Sequence, residues 1–393
     1  MTSQEEVLAL YTSAMETLSG AHGDPTTEDM MRVAADLQKA SAQSPLAKSR
    51  FGLLMLLGAG ITVSKEQAIE LYVDAAMSGM PKLARELGAC LLVAGNADGL
   101  AASLLRHAAK GGDWIAVFLI LREAMRGRYL ATKDELQSLV KLMSAGVPFQ
   151  PEMTAAINTL GTSLAVTPPA SFQKQACLDA LTSILVSEIS TTPVDVTDQH
   201  KIQHFPSLLQ PVECDYLVAI ASEIMQPSKV VDASAAQSIN AGYRTSDEGA
   251  ILPYLFDMPL IGIMQKLAAA CGTPLQNCEF LSMLRYRQGQ EYRPHHDYLE
   301  VDENDYSKVT TCGQRTTTLL TYLNENFDGG ETAFPELDIS FKGKTGDSLL
   351  FANTDENGNG IPSSLHAGCP VQNGEKWLAT LWVREKAFWP WAQ

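Results

Sequence analysis

Residues 291–300 read EYRPHHDYLE, and residues 363–383 read SSLHAGCPVQNGEKWLATLWV. The first stretch holds His295 and Asp297 with one residue between them. The second places His366 71 residues beyond His295, and Lys376 ten residues further on. Two histidines and one carboxylate make the facial set that binds ferrous iron and leaves coordination positions open. A lysine at the head of an apolar run adds a cation suited to a dicarboxylate. Residues two apart on a strand share a face. His295 and Asp297 are therefore expected to point together into a barrel, with His296 pointing away and His366 arriving from a later strand. Alone, the HxD string is also what a surface turn with an ordinary salt bridge leaves in a sequence.

The surroundings of the two stretches predict strands. Residues 280–286, 316–323, 347–351 and 377–383 are short aliphatic and aromatic segments bounded by Gly, Asp and Asn. Helices are expected at PVECDYLVAIASEIM (211–225) and YLFDMPLIGIMQKLAAAC (254–271). Helices followed by a run of strands predict a sandwich or jelly roll with packed helices. RQGQ (287–290), DGG and ENGNG lack the strand–GxGxxG–helix setting of a phosphate loop and read as turns. Asp302, Glu303 and Asp305 mark an acidic loop after the HxD stretch, either simply solvated or folded over a substrate.

Residues 1–190 have another character, rich in Ala, Leu and Met with apolar residues three to four apart, which predicts helices. FGLLMLLGAG (from Phe51) is repeated 36 residues later as LGACLLVAG, and AAMSG (from Ala75) 33 residues later as AAKGG. Such a period, with small residues where helices touch, marks a solenoid of helical hairpins. STTPVDVTDQHKIQHF (190–205) breaks the pattern with Pro, Thr and Asp. The expected organisation is thus a multidomain α and β chain: a helical domain over 1–195 and a second domain over 196–393.

Composition narrows the function classes. Residues 1–195 carry 15 Lys and Arg against 20 Asp and Glu, net −5; the remainder carries 14 against 25, net −11. The acidic surplus lies mainly on the half with the metal motif and opposes nucleic acids and anionic membranes. The opening MTSQEEVLALYTSAMETL has no basic n-region, and no apolar run approaches the length of a membrane span. The 7 cysteines include no CxxC pair. The expectation is a cytoplasmic protein with free thiols and no membrane partner.

Residues 198–388 resemble the prolyl 4-hydroxylase family of Fe(II)/2-oxoglutarate oxygenases. The resemblance rests on an ordered series: VECDYL, YRTS, LRYRQGQEYRPHHDYL, GQRTTTLLTYLNENFDGGETAFPE, KGKTGDSLLFANTDENG and SLHAGCPVQNGEKWLATLWV. It implies a double-stranded β-helix with His295, Asp297 and His366 as iron ligands. It implies that Lys376 pairs with the distal carboxylate of 2-oxoglutarate, and that Tyr286 and Thr332 hydrogen-bond the same co-substrate. Tyr292, Arg315 and Trp382 match positions on the peptide side of the metal, and Arg244 matches a loop that closes over substrate. The implied activity consumes O2, converts 2-oxoglutarate to succinate and CO2, and hydroxylates a prolyl residue at C4. L-Ascorbate is the implied reductant. Residues 45–125 resemble Sel1-like repeats, relatives of the tetratricopeptide family, which implies a peptide- or protein-binding scaffold able to recruit the substrate.

Three other readings compete. The same chemistry could act on Arg, Lys or a small molecule, and the acidic half leaves a cationic target open. A nucleic-acid demethylase is disfavoured by the net −11 over residues 196–393. A non-catalytic scaffold is disfavoured by the intact set of metal and co-substrate positions.

Overall fold

The architecture was read from a computed structural model. The described residues are 3–21, 23–95, 98–144, 146–161, 164–168, 170–185, 191–198, 200–228, 244–299, 311–389 and 391. The acidic loop at Asp302, Glu303 and Asp305 lies outside them. The chain forms two compact units. One comprises Met1–Ser187 with Leu252–Gly262 and Pro390–Gln393; the other comprises Glu188–Ile251 and Ile263–Trp389. Among the described residues no helix is long and apolar enough to cross a membrane.

The first unit is a helical solenoid: α1 (Gln4–Leu18), α2 (Thr27–Ser41), α3 (Pro45–Leu57), α4 (Lys65–Ala76), α5 (Pro81–Ala94), α6 (Asp98–Lys110), α7 (Trp114–Met125), α8 (Lys133–Leu142), α9 (Gln150–Thr159) and α10 (Lys174–Leu185). Local sequence starts these helices. Thr26 with Asp29 and Thr132 with Glu135 form reciprocal capping boxes on α2 and α8. Successive helices pack against one another, most extensively α3 with α4 and α5 with α6. The repeated glycine explains the pairing. A Cβ on Gly52 would stand 2.9 Å from the Ala68 carbonyl oxygen, and one on Gly88 2.9 Å from Leu105 Cγ. Only glycine admits that approach.

Residues from far along the chain complete this unit. Within Leu252–Gly262, Met258, Leu260 and Ile261 are fully buried, and the Met258 amide donates to Tyr72 Oη at 3.3 Å. The helix expected over 254–271 starts later than its sequence suggests. Pro253–Leu255 is a 3-10 turn, and the α-helix runs Met258–Ala270. Asp257 fixes the start, its Oδ1 accepting from the Leu260 amide at 3.0 Å, while Pro259 occupies a first-turn position that needs no N–H.

The second unit carries β1 (Val194–Asp195), β2 (Ile202–Phe205), α11 (Pro211–Ser222), β3 (Gln226–Pro227) and β4 (Asp247–Ala250), followed by the rest of α12 (Met258–Ala270). Then come β5 (Ser282–Tyr286), β6 (Tyr292–His295), β7 (Arg315–Tyr322), β8 (Phe327–Gly329), β9 (Thr332–Phe334), β10 (Ile339–Phe341), β11 (Ser348–Ala352), β12 (His366–Gly368), β13 (Val371–Gly374) and β14 (Lys376–Arg384). The large sheet has the order β1-β2-β11-β7-β14-β5-β4-β3, and the smaller one β10-β9-β12-β6, with β13 paired to β8. Every pairing is antiparallel. The result is a jelly roll. The stretch 190–205, read as a break in the helical pattern, supplies two strands of the large sheet. Ile202 turns inward there onto Leu349 and Phe351, while Phe205, opposite Ser348, is buried on the other face.

Candidate active site

Strand register assembles the site. His366 on β12 stands directly opposite His295 on β6. Lys376, the first residue of β14, stands opposite Tyr286, the last of β5. Asp297 departs from the strand expectation, because β6 ends at His295 and Asp297 lies in the bend that follows. The bend still buries its carboxylate to 6% exposure. Asp297 Oδ1 lies 3.7 Å from His295 Nε2, and Oδ2 lies 3.6 Å from His366 Nε2. Candidate ligand atoms of the three residues all fall within 4.8 Å of one another.

Neighbours orient each member. His295 Nδ1 donates to the Arg293 carbonyl at 2.8 Å, and His366 Nδ1 to the Ser364 carbonyl at 3.0 Å. That tautomer leaves both Nε2 lone pairs facing Asp297. Thr318 Oγ1 donates to Asp297 Oδ2 at 2.7 Å and accepts from Asn353 Nδ2 at 2.8 Å. Burial and the neighbouring His366 push the His295 pKa down, which favours the neutral imidazole a metal needs. Burial resists ionisation of Asp297, but the two imidazoles, Arg315 and the Thr318 hydroxyl outweigh it and hold the carboxyl low. Neutral imidazoles and a carboxylate converging on one point are a donor set that fits iron(II).

One cleft is lined by this triad together with Lys376, Tyr286, Thr332, Tyr292, Trp382 and Arg244. Lys376 is 1% exposed, and its Nζ donates to the Gly330 carbonyl. The aromatic rings of Tyr322 and Tyr286 lie 5.1 and 5.5 Å from it. Gly330 makes room, since a Cβ there would stand 3.2 Å from Lys376 Cδ. Burial pushes the Lys376 pKa down to about 7, with the charges of Cys369 and Glu331 opposing only in part. A buried ammonium with no bonded carboxylate is a place for an anionic ligand group. The Thr332 hydroxyl is hydrogen-bonded to Tyr322 Oη at 2.8 Å, a contact the sequence did not suggest. Two further buried donors line the cleft without a hydrogen-bond partner, the Thr380 hydroxyl and the Trp382 indole N–H. Such groups are costly unless a ligand meets them.

On the other side of the triad, Tyr292 stacks on His295 with ring centroids 3.4 Å apart. Arg244 covers Tyr292 at 4.9 Å and pairs with Glu248 at 2.8 Å. Arg315 lies outside the cleft lining. Its guanidinium stacks on Trp382 at 3.9 Å and makes a two-pronged pair with Glu279 at 2.6 and 2.8 Å; Glu279 also receives Arg384 at 2.9 Å. Glu279 was not among the residues singled out from sequence, and neither were Thr318 and Asn353. His296 turns away to the Pro362 carbonyl at 3.1 Å.

Comparison with known proteins adds the context. A profile of the 2OG-Fe(II) oxygenase superfamily matches residues 281–384. Prolyl 4-hydroxylase 1 of Arabidopsis thaliana is 37% identical over 193 residues, covering 46% of this chain and 67% of that protein. Prolyl 4-hydroxylase 2 of the same plant is 32% identical over 237 residues, covering 55% and 77%. Among solved structures, the viral collagen prolyl hydroxylase of Paramecium Bursaria Chlorella virus-1, in its 2OG complex, aligns with 48% of this chain and 98% of its own. The identity is 27% and the TM-score 0.38.

Proposed function

Because the chain belongs to the 2OG-Fe(II) oxygenase superfamily, we propose that it hydroxylates a prolyl residue of a peptide or protein at C4. The observation that carries this reading is the pairing of two features in one cleft. A histidine–aspartate–histidine face stands at one place, and a buried, carboxylate-free lysine at another. His295 Nε2, His366 Nε2 and the Asp297 carboxylate would hold iron(II). Lys376 would bind the distal carboxylate of 2-oxoglutarate, with Tyr286 and Thr332 beside it. When bound, iron and 2-oxoglutarate supply oxidative decarboxylation to succinate and CO2 coupled to hydroxylation of a C–H bond by O2.

The chain's own residues do the rest. The Arg293 and Ser364 carbonyls fix the imidazole tautomers. Thr318 holds the Asp297 carboxylate in place. Tyr292, Arg244 and Trp382 border the cleft, and the aromatic faces suit a pyrrolidine ring. Arg315, neutralised by Glu279, would serve by backing Trp382 rather than by meeting substrate charge. The helical unit would recruit the peptide or protein that carries the target residue.

The test is turnover of the purified chain with Fe(II), 2-oxoglutarate, ascorbate and a panel of proline-containing peptides. Succinate and a +16 Da change on a prolyl residue, assigned to C4 by NMR, is the expected result. His295→Ala and Asp297→Ala should abolish it. Succinate formation with the added mass on Arg or Lys would replace this reading with its nearest rival, which the net −11 over residues 196–393 favours electrostatically.

A further inference from the structure

The helical unit carries a groove that the catalytic chemistry does not use. Its volume is about 660 Å³, inside the roughly 300–1,000 Å³ span of ligand sites. One side of it is a single stripe of α4. Gln67, Glu70, Leu71 and Asp74 recur there at the three- and four-residue spacing that puts side chains on one helix face. Phe51 and Met55, four residues apart on α3, add buried apolar surface. Ile61 and Val63, from the connection between the two helices, add apolar surface that water reaches, and Val63 is 39% exposed.

The charge of the lining has one sign. Glu70 and Asp74 are both exposed, and no lining residue is a cation. The last turn of α4 holds no basic residue, so the negative pole of that helix adds to the same field. Asp74 shows what this rim accepts. Lys174, the first residue of α10, reaches it from 100 residues along the chain, with Nζ 2.7 Å from Oδ1. Both side chains of that pair stay more than 40% exposed. An ammonium of the chain itself thus sits at one end of the acidic stripe. Glu70, one turn earlier, has no ion-pair partner among the described residues.

We propose that this groove docks a segment of a partner protein that carries an apolar side chain beside a lysine or arginine. The apolar side chain would lie against Phe51, Met55 and Leu71, and the cation would meet Glu70. Apolar contact supplies the binding energy, and the one-signed rim selects against acidic segments. The proposal names the partner chemistry for the recruiting role given to the helical unit above and rests on that reading. Binding is therefore measured on the full chain without iron or 2-oxoglutarate, so that a failure to dock and a failure to hydroxylate are read separately.

The experiment is fluorescence anisotropy at about 150 mM salt, where long-range attraction is screened, with a fluorescein-labelled peptide of alternating leucine and lysine. Saturable binding at one site per chain is expected. Glutamate for lysine, or serine for leucine, in the peptide should weaken it about tenfold or more. Glu70→Lys and Val63→Asp, both at exposed positions, should each weaken it by a similar factor. Glu16→Lys, the same charge change at an exposed position of α1 outside the groove, should leave it unaltered. Lys174→Met should tighten it about threefold or more, because it frees Asp74. The proposal fails if the peptide does not saturate, if its glutamate counterpart binds as well, if either groove variant binds like the natural chain, or if Lys174→Met weakens binding. Self-association of the chain in sedimentation velocity, abolished by Val63→Asp, would assign the groove to a second copy and overturn it too.

Discussion

At the scale of single residues, the site depends on groups that hold other groups still. Thr318 holds Asp297 through a single hydrogen bond from its hydroxyl to Oδ2. Thr318→Val should lower Fe(II) or Mn(II) affinity about 10- to 100-fold, as loss of a partner behind a metal ligand typically does, with a modest fall in Tm because buried Asn353 Nδ2 loses its acceptor. Unchanged affinity in a metal titration would remove Thr318 from the site. Lys376 gives a proton-linked prediction. Its folded-state pKa is lowered to about 7 by burial, so the ligand-free lysine is largely neutral at pH 8. Pairing with a carboxylate restores the charge, and 2-oxoglutarate binding at pH 8 should take up close to one proton, read from the buffer dependence of the binding enthalpy. Lys376→Arg, charged at every accessible pH, should bind without that uptake. In the ligand-free chain the same lowered pKa makes this residue's contribution to stability improve as pH rises from about 7 towards the ordinary lysine value. The residue types were legible in the sequence, because HxD, the distal histidine and the lysine keep readable spacings. Thr318 and Asn353 were not, since a threonine in TTTLL or an asparagine in FANTD has no local mark of what it will face across the sheets.

At the scale of elements, the strand cores were legible from their unbroken apolar runs, whereas the register that brings His366 opposite His295 was not. The same limit hid the ion cluster behind Trp382. Glu279 precedes β5, Arg315 opens β7 and Arg384 closes β14, three sites joined only by the pairing of those strands. Burial resists the Glu279 charge, but the two guanidiniums outweigh it and hold its pKa below the usual carboxylate value. Its stabilising contribution is therefore complete above the ordinary glutamate pKa and is lost as pH falls through the lowered folded-state value. Glu279→Ala leaves two mostly buried guanidiniums without their acid and should cost about 3–5 kcal/mol in urea unfolding at pH 7. Glu279→Gln should flatten the acid limb of the stability profile. An unaltered limb would mean that other acids govern it.

At the scale of the whole molecule, the period of the repeats announced a helical solenoid, but nothing local announced that Leu252–Gly262 would join it. That segment reads as an ordinary helix start, and its membership depends on partners such as Tyr72 some 186 residues earlier. A fragment ending at residue 187 should therefore expose the apolar surface that Met258, Leu260 and Ile261 normally cover. It should bind a hydrophobic dye and melt below the helical transition of the intact chain, and a supplied 252–262 peptide should reverse both. A fragment that melts like the intact chain would show the segment to be dispensable. The interleaving also bears on the order of biosynthesis. At roughly 5–20 residues per second, the ribosome needs about 4–15 s to travel from residue 187 to residue 262. Throughout that interval the emerging solenoid has a vacant seam and is open to chaperones or to wrong partners, because the chain must deliver the metal-binding half's early strands before it can finish its own first half.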